Sequence, residues 1–247
     1  MNYNVNINGL DVDAVYSQKA IDEIIKPLLE HLAKLHDARK RRILVMLAAP
    51  PGAGKSTLVS FLEYMSKEII PDKKVQAIGM DGFHRRQEYL LSHTTEVNGE
   101  EIPMVKIKGA PITFDIEGIK AKIKEVTTKE NCGWPQYDRL LHNPVEDAIL
   151  VNGDIVLLEG NYLLLDKERW SDLSDFADYT IFLSADPSLL RDRLIARKIA
   201  SGNSREKAES FVDFSDMVNV RTCLEHTKEA DLTLIVDENG ELKNGQR

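Results

Sequence analysis

The stretch VMLAAPPGAGKSTLVSFL, Val45 to Leu62, ends as a phosphate-binding loop ends, on Gly54-Lys55-Ser56. It carries Ala49 where the pattern G-x-x-x-x-G-K-[ST] opens on glycine. With glycine at ~7% of residues, a bare G-K-[ST] arises by chance in about one chain in ten of this length. Context therefore has to carry the reading. Here the tripeptide follows a continuous apolar run, crosses a glycine-rich turn and opens a helix from about Lys55 to Lys67. That is the strand–loop–helix order the motif requires. The phosphate cradle consists of successive backbone N–H groups backed by the positive end of a helix. Pro50 and Pro51 have no N–H to give, so the donors begin at Gly52. Gly52 and Gly54 supply permissive backbone where the chain wraps an anion, and Ala49 only ends the strand. The nucleotide-binding set is Gly52, Ala53, Gly54, Lys55, Ser56 and Thr57. The motif predicts that Lys55 reaches the β- and γ-phosphates of a bound nucleotide and that Ser56 coordinates Mg²⁺. A glycine-rich turn bearing a surface lysine is the bland alternative, and the context weighs against it.

Outward from the loop, ILVMLAA (Ile43–Ala49) reads as a strand covered on both faces. KVQAIGM (74–80), DIVLLEG (154–160), YTIFLSA (179–185) and DLTLIVD (231–237) read as four more. Helical patterns separate most of them, including 115–126, 187–200 and 205–229 with a break. Strands alternating with helices predict a parallel sheet with helices on both faces. Before the loop, Ile21, Ile24, Ile25, Leu28, Leu29, Leu32 and Leu35 recur at helical spacing, with Pro27 expected to bend or divide the helix. NVNING alternates weakly around an Asn8-Gly9 turn signal, a short strand or hairpin arm. HTTEVNGEEIPMVKIK holds an Asn98-Gly99 turn between alternating arms, a hairpin signal. The expected organisation is an arm and helix over 1–42, a main domain over 43–237 with a lid at about 186–215, and a polar, frayed tail over 238–247.

The 247 residues carry a net charge of −8, which argues against a chain built to grip nucleic acid. The basic run ARKRR, Ala38 to Arg42, falls where a helix ends, and cations there complement the helix dipole. Only Cys132 and Cys223 occur, without metal-ligand spacing, and free thiols in a reducing cytosol fit them best. The N-terminus lacks the positive start and apolar run of a signal peptide, and no apolar segment reaches membrane-span length. A cytoplasmic protein with no membrane or nucleic-acid partner is expected; a homodimer stays open.

Phosphoryl transfer needs an acceptor hydroxyl, a base for its proton and positive charge over the group in transfer. MDGFH puts Asp81 at a strand's carboxyl end, where such sheets bind ligands. A turn aspartate is its bland reading. IVLLEGNYLLL puts Glu159 at the end of a buried strand, suited to hold Mg²⁺ opposite the loop serine. Arg191, Arg193 and Arg197 lie on one helical pattern, with Arg193 and Arg197 spaced to share a face. They suit a lid closing over the γ-phosphate, or equally a solvated basic face.

The combination of GAGKST, MDGFH, KGAPITFD, YDRLLH and LLEGNYLLL resembles the phosphoribulokinase/uridine kinase family of P-loop kinases, over about Ile43 to Val236. The nearest pattern is the branch of pantothenate kinase and fructokinase-like proteins. The resemblance implies a three-layer α/β/α P-loop fold with a five-stranded parallel sheet and a helical lid. It implies ATP, Mg²⁺ and transfer to a hydroxyl of a small molecule. By position, Asp81 falls on the catalytic base, with Lys55, Arg193 and Arg197 as the catalytic cations. Ser56 and Glu159 fall beside the metal, and Tyr137 and His142 keep a spacing used to hold a nucleoside. Lys108 and Asp115 belong to a motif beside the acceptor pocket, which His84 also borders. Arg139 departs from the pattern, standing where uridine kinases carry an aromatic residue. It favours an acceptor bearing a carboxylate, a phosphate or many hydroxyls, unless it merely pairs with Asp138 or Asp147. The 94–107 hairpin is expected close to the acceptor and suited to cover it.

The function expected is an ATP-dependent kinase for a sugar, nucleoside or pantothenate-like hydroxyl. The alternative is a P-loop ATPase serving as a switch or assembly factor, with Glu159 activating water. A GTP switch would need a guanine-reading N-K-x-D, and the sequence has none.

Overall fold

A computed structural model describes residues 1–7 and 9–245. The chain opens with an antiparallel hairpin of β1 (Asn2–Ile7) and β2 (Leu10–Val15). Gly9 sits in its turn with φ +84°, while Asn8 lies outside the described residues. Helix α1 (Gln18–Ala20), N-capped by Ser17, runs through a π-helical turn (Ile21–Ile25) into α2 (Lys26–Arg39). Pro27 therefore does not divide the helix. Lys26 N–H bonds back to Ile21 O, so the wide turn falls just before Pro27, which has no N–H to give. The basic run ends this helix as expected: Lys40 takes the left-handed cap conformation, and Arg41 forks onto Asp178 at 2.6 and 2.9 Å.

From there strands and helices alternate: β3 (Ile43–Ala48), α3 (Lys55–Ile69), β4 (Val75–Gly79) and the short α4 (Gln87–Ser92). The hairpin β5 (Thr94–Val97) with β6 (Glu100–Pro103) forms around Asn98-Gly99 as the alternation predicted. After α5 (Ile116–Thr128) comes a second hairpin, β7 (Cys132–Asp138) and β8 (Asn143–Val151). The chain then continues through β9 (Ile155–Gly160), β10 (Tyr179–Ala185) and α6 (Pro187–Ala200). Helix α7 (Arg205–Phe211), a π-helical turn (Val212–Asp216) and α8 (Met217–Glu225) lead to β11 (Leu232–Val236) and β12 (Leu242–Asn244).

The main sheet runs β12-β11-β10-β3-β9-β4, and only β12 is antiparallel to its neighbour. The five parallel strands are those expected from the sequence; β12 makes a sixth. That corrects the reading of 238–247 as a frayed tail, because Leu242 is buried beside β11 and Gly240 N–H bonds Asp237 O. Strand order reverses at β3, so a crevice opens beyond its carboxyl end. Every residue of β3 and of β9 is buried. Along β3, Ile43, Val45 and Leu47 face the layer holding α2, α3 and α6, while Leu44, Met46 and Ala48 face the layer of α5, Trp134 and Tyr162. This alternation makes three layers of one strand. Both cysteines are buried free thiols, and among the described residues no helix is long and apolar enough to cross a membrane.

The β7–β8 hairpin carries no strand signal strong enough to read from sequence: Gly133 and Pro135 interrupt β7, and most of β8 is exposed. Trp134 anchors it, fully buried, by donating from Nε1 to Gly79 O at 2.8 Å. The N-terminal arm packs on α3. Tyr16 stacks on Phe61 with centroids 3.8 Å apart, and Tyr3 OH meets Ser60 Oγ at 2.8 Å. Phe61 is fully buried between arm and sheet. Phe61→Ala should therefore cost about 3–5 kcal/mol in urea unfolding, whereas a loss near zero would mean the arm is not part of the cooperative core.

Candidate active site

The loop after β3 has the conformation its composition requires. Gly52 and Gly54 stand at φ +86° and +92°, the left-handed region where a side chain is strained, and Gly54 caps α3. Ala49 is buried and is not among the residues of positive φ, so the alanine fits where glycine is usual. Helix α6 lies directly over the loop: a Cβ on Gly52 would come 3.2 Å from Leu194 Cγ. Arg193 Nη1 points to Gly52 O at 3.5 Å.

Ser56, in the first turn of α3, donates to Glu159 Oε1 at 2.7 Å. Glu159 is the penultimate residue of β9 and is only 7% exposed. Burial raises its pKa, with Asp81 also raising it and the Lys55 ammonium and Ser56 opposing. A buried carboxylate with one hydroxyl partner is under-compensated. Serine and carboxylate oxygens that leave other positions to phosphates and water fit Mg²⁺, which takes few protein ligands. Among the described residues no group of three or more His, Cys, Asp or Glu is placed to hold a metal ion.

Beyond β4 the chain turns through a 3₁₀ helix, Met80–Phe83, which holds Asp81 at the crevice. Gly82 is required there, because a Cβ would lie 2.1 Å from Pro135 O on β7. His84 follows, stacked on Phe114 at 4.1 Å and edge-on to Tyr137 at 5.2 Å, with Nε2 4.0 Å from Asp81 Oδ1. Burial pushes its pKa down to about 4, against the pull of Asp81. Lys108 Nζ donates to Tyr137 OH at 2.7 Å, to Gln87 Oε1 at 3.0 Å and to His142 O at 3.2 Å. Burial lowers the Lys108 pKa and raises that of Tyr137.

These side chains surround two adjoining cavities. The smaller, about 240 Å³, is bounded by the loop, Asp81, Arg139, Arg193 and Arg197. The larger, about 470 Å³, is bounded by Lys55, Asp81, His84, Lys108, Tyr137, Arg139, His142 and Arg197. Five of the six residues expected beside the acceptor, all but Asp115, thus line one space. A third cavity of about 450 Å³ lies on the other side of Gly52, between Val12–Tyr16, Leu183, Arg193 and the turn Asn239-Gly240.

No family model matches the chain. A curated Escherichia coli K12 relative, "Uncharacterized protein YggC", is 41% identical over 97% of this chain and 98% of its own. The Schizosaccharomyces pombe protein named "Putative uridine kinase C227.14" is 33% identical over 86% of this chain and 88% of its own. The chain belongs to the phosphoribulokinase/uridine kinase family of P-loop kinases. Among solved structures, the "putative fructose transport system kinase" of Silicibacter sp. TM1040 superposes with a TM-score of 0.75 at 30% identity, covering 85% of this chain and 98% of that one. A P-loop kinase acting on a small molecule is the activity these relatives support.

In this family member the structure bears on four points that the sequence raised. Arg191 forks onto Asp213 at 2.7 and 2.8 Å, tying α6 to the π-helical turn, as the reading of a solvated basic face has it. Asp115 lines a separate cavity behind His84, with Arg85 and Tyr89. Neither strand of the β5–β6 hairpin lines the acceptor cavity, which receives only Val105 from that segment. Arg139 forms no ion pair with Asp138 or Asp147 among the described residues; Asp147 pairs with Lys122 at 2.8 Å, while Asp138 accepts from Leu140 and Leu141 N–H. Sequence reasoning also missed Asn161, Lys198, Asp216 and Asn219, which line the larger cavity. Only Asn161, adjoining the LLEG strand end, had a signal to find.

His84 gives the site a pH signature. Its folded pKa lies below the ordinary value of 6.5, so the unfolded chain takes the proton first. Its contribution to stability is whole above pH 6.5 and lost as pH falls toward 4. Between pH 7 and 4.5 that amounts to about 2–3 kcal/mol at 1.36 per pKa unit. Urea unfolding at the two pH values should show a smaller acid loss in His84→Gln than in the wild type; equal losses would remove His84 as the buried base.

Proposed function

We propose that the protein is an ATP-dependent kinase transferring the γ-phosphoryl group to a hydroxyl of a small molecule, with sugars ahead of nucleosides and pantothenate-like acids. One observation carries the reading. Asp81 borders both the phosphate cavity and the larger one, together with Lys55, Arg139 and Arg197. A carboxylate on that boundary reaches an acceptor hydroxyl on one side and the transferring group on the other.

In this reading the N–H groups from Gly52 to Thr57 and the Lys55 ammonium hold the phosphates. The adenosine half occupies the cavity beyond Gly52. Asp81 takes the acceptor's proton, while Arg193 and Arg197, one turn apart on α6, neutralise charge on the transferring group. Ser56 and Glu159 would hold Mg²⁺, which would offset the negative charge of the phosphates when bound. Lys108 and Tyr137 fix one wall of the acceptor space through their 2.7 Å bond. His84 is neutral at pH 7 and can accept or donate one hydrogen bond. The fructose named for the Silicibacter structure supports a sugar. Arg139, in the position of an aromatic, weighs against the pyrimidine that the S. pombe relative's name would suggest.

The test is ATP consumption alone and with fructose, glucose, ribose, uridine, pantothenate and glycerate. One acceptor should stimulate it strongly. Asp81→Asn should then cut turnover about 10²–10⁴-fold while calorimetry finds nucleotide affinity little changed. Equal hydrolysis with and without every acceptor would favour a nucleotide switch instead.

A further inference from the structure

Two residues that line the larger cavity carry buried polar atoms with no hydrogen-bond partner among the described residues. Asp216, in the π-helical turn before α8, is 8% exposed, and its Oδ2 has no hydrogen-bond partner. Lys198 Nζ on α6 stands 3.9 Å from that oxygen, too far to bond, and is held 3.5 Å above the Phe211 ring. Asn161 Oδ1, one residue past the end of β9, is likewise buried without a partner. Both residues line the space that Asp81 borders. Burying acceptors unpaired is costly, and a carboxylate more so than an amide. π-Turns of this kind also concentrate at functional sites.

A hydroxyl, which donates and accepts through one oxygen, suits this pair. It donates to Asp216 Oδ2 while its oxygen accepts from Lys198, bridging the 3.9 Å that separates them. A carboxylate has no proton to donate and would meet the negative charge of Asp216. We propose that Asp216, with Lys198, and Asn161 each read a hydroxyl of the acceptor. The substrate therefore carries at least two hydroxyls besides the one phosphorylated, as a sugar does, either free or as the ribose of a nucleoside. This rests on the kinase reading above. Binding such a molecule would also draw α6 and the α7–α8 segment together, coupling acceptor recognition to the arginines over the phosphate cavity.

The experiment uses the acceptor panel above with the full chain. Sugars or uridine should stimulate ATP consumption most, and comparing free ribose with uridine distinguishes the two sources of hydroxyls. Asp216→Ala should raise KM for the preferred acceptor 10- to 100-fold and change kcat less than threefold, since Asp216 does not touch the reacting atoms. Asp216→Asn, which keeps an acceptor oxygen, should recover part of the loss and guards against a variant that fails to fold. A deoxy analogue lacking the matching hydroxyl should lose as much with the wild type and nothing further with Asp216→Ala. If pantothenate or glycerate is the preferred acceptor, or KM is unmoved in both variants, the kinase reading survives and this proposal falls. If no acceptor stimulates consumption, both fall.

Discussion

The 2.7 Å bond between Ser56 and Glu159 joins the first turn of α3 to the end of β9. Around it the molecule is organised. A carboxylate this deep in a sheet is unfavourable by itself, and the fold surrounds it with a hydroxyl and the Lys55 ammonium rather than excluding it. The consequence is geometric. Because β3, β9 and β4 are hydrogen-bonded neighbours in parallel, with Ala48 opposite Gly160 and Gly79 opposite Glu159, their carboxyl ends reach the crevice at one level. The phosphate loop, the buried acid and the Asp81 turn are therefore delivered to the same place by sheet register.

Charge is distributed against the overall balance. The chain is acidic, with a net charge of −8, yet Lys55, Lys108, Arg139, Arg197 and Lys198 converge on the larger cavity. Such a concentration of cations over two carboxylates suits a polyanionic nucleotide meeting a hydroxylated partner. Surface pairs such as Arg205–Glu209 contribute little to stability. The burial that matters lies in the strands, where every residue of β3 and β9 is buried.

Much of this was legible along the chain. Five parallel strands, the loop, α6 and the Asn98-Gly99 hairpin follow from local periodicity and turn chemistry, each confined to a few adjacent residues. The β7–β8 hairpin was not legible: Pro135 and Gly133 break its pattern, and its pairing depends on Trp134 reaching the end of β4. The β12 edge escaped notice because a three-residue strand in a polar segment has too little pattern to read. Arg191 and Arg193 look alike in sequence, two positions apart; only their directions separate an ion pair with Asp213 from a place over the loop.

What the sequence determined alone was the chemistry of the nucleotide side. A cradle made of backbone N–H groups, with its glycines, lysine and serine, is written in consecutive residues. The acceptor side was decided by tertiary structure. Asp81, Lys108, Tyr137, Lys198 and Asp216 come from separate elements, and their meeting depends on how helices and hairpins pack over the sheet. Asp216 shows the reason most plainly. In sequence it is one acid among 40; only the packing of the helices buries its Oδ2 without a hydrogen-bond partner, 3.9 Å from Lys198, beside the larger cavity.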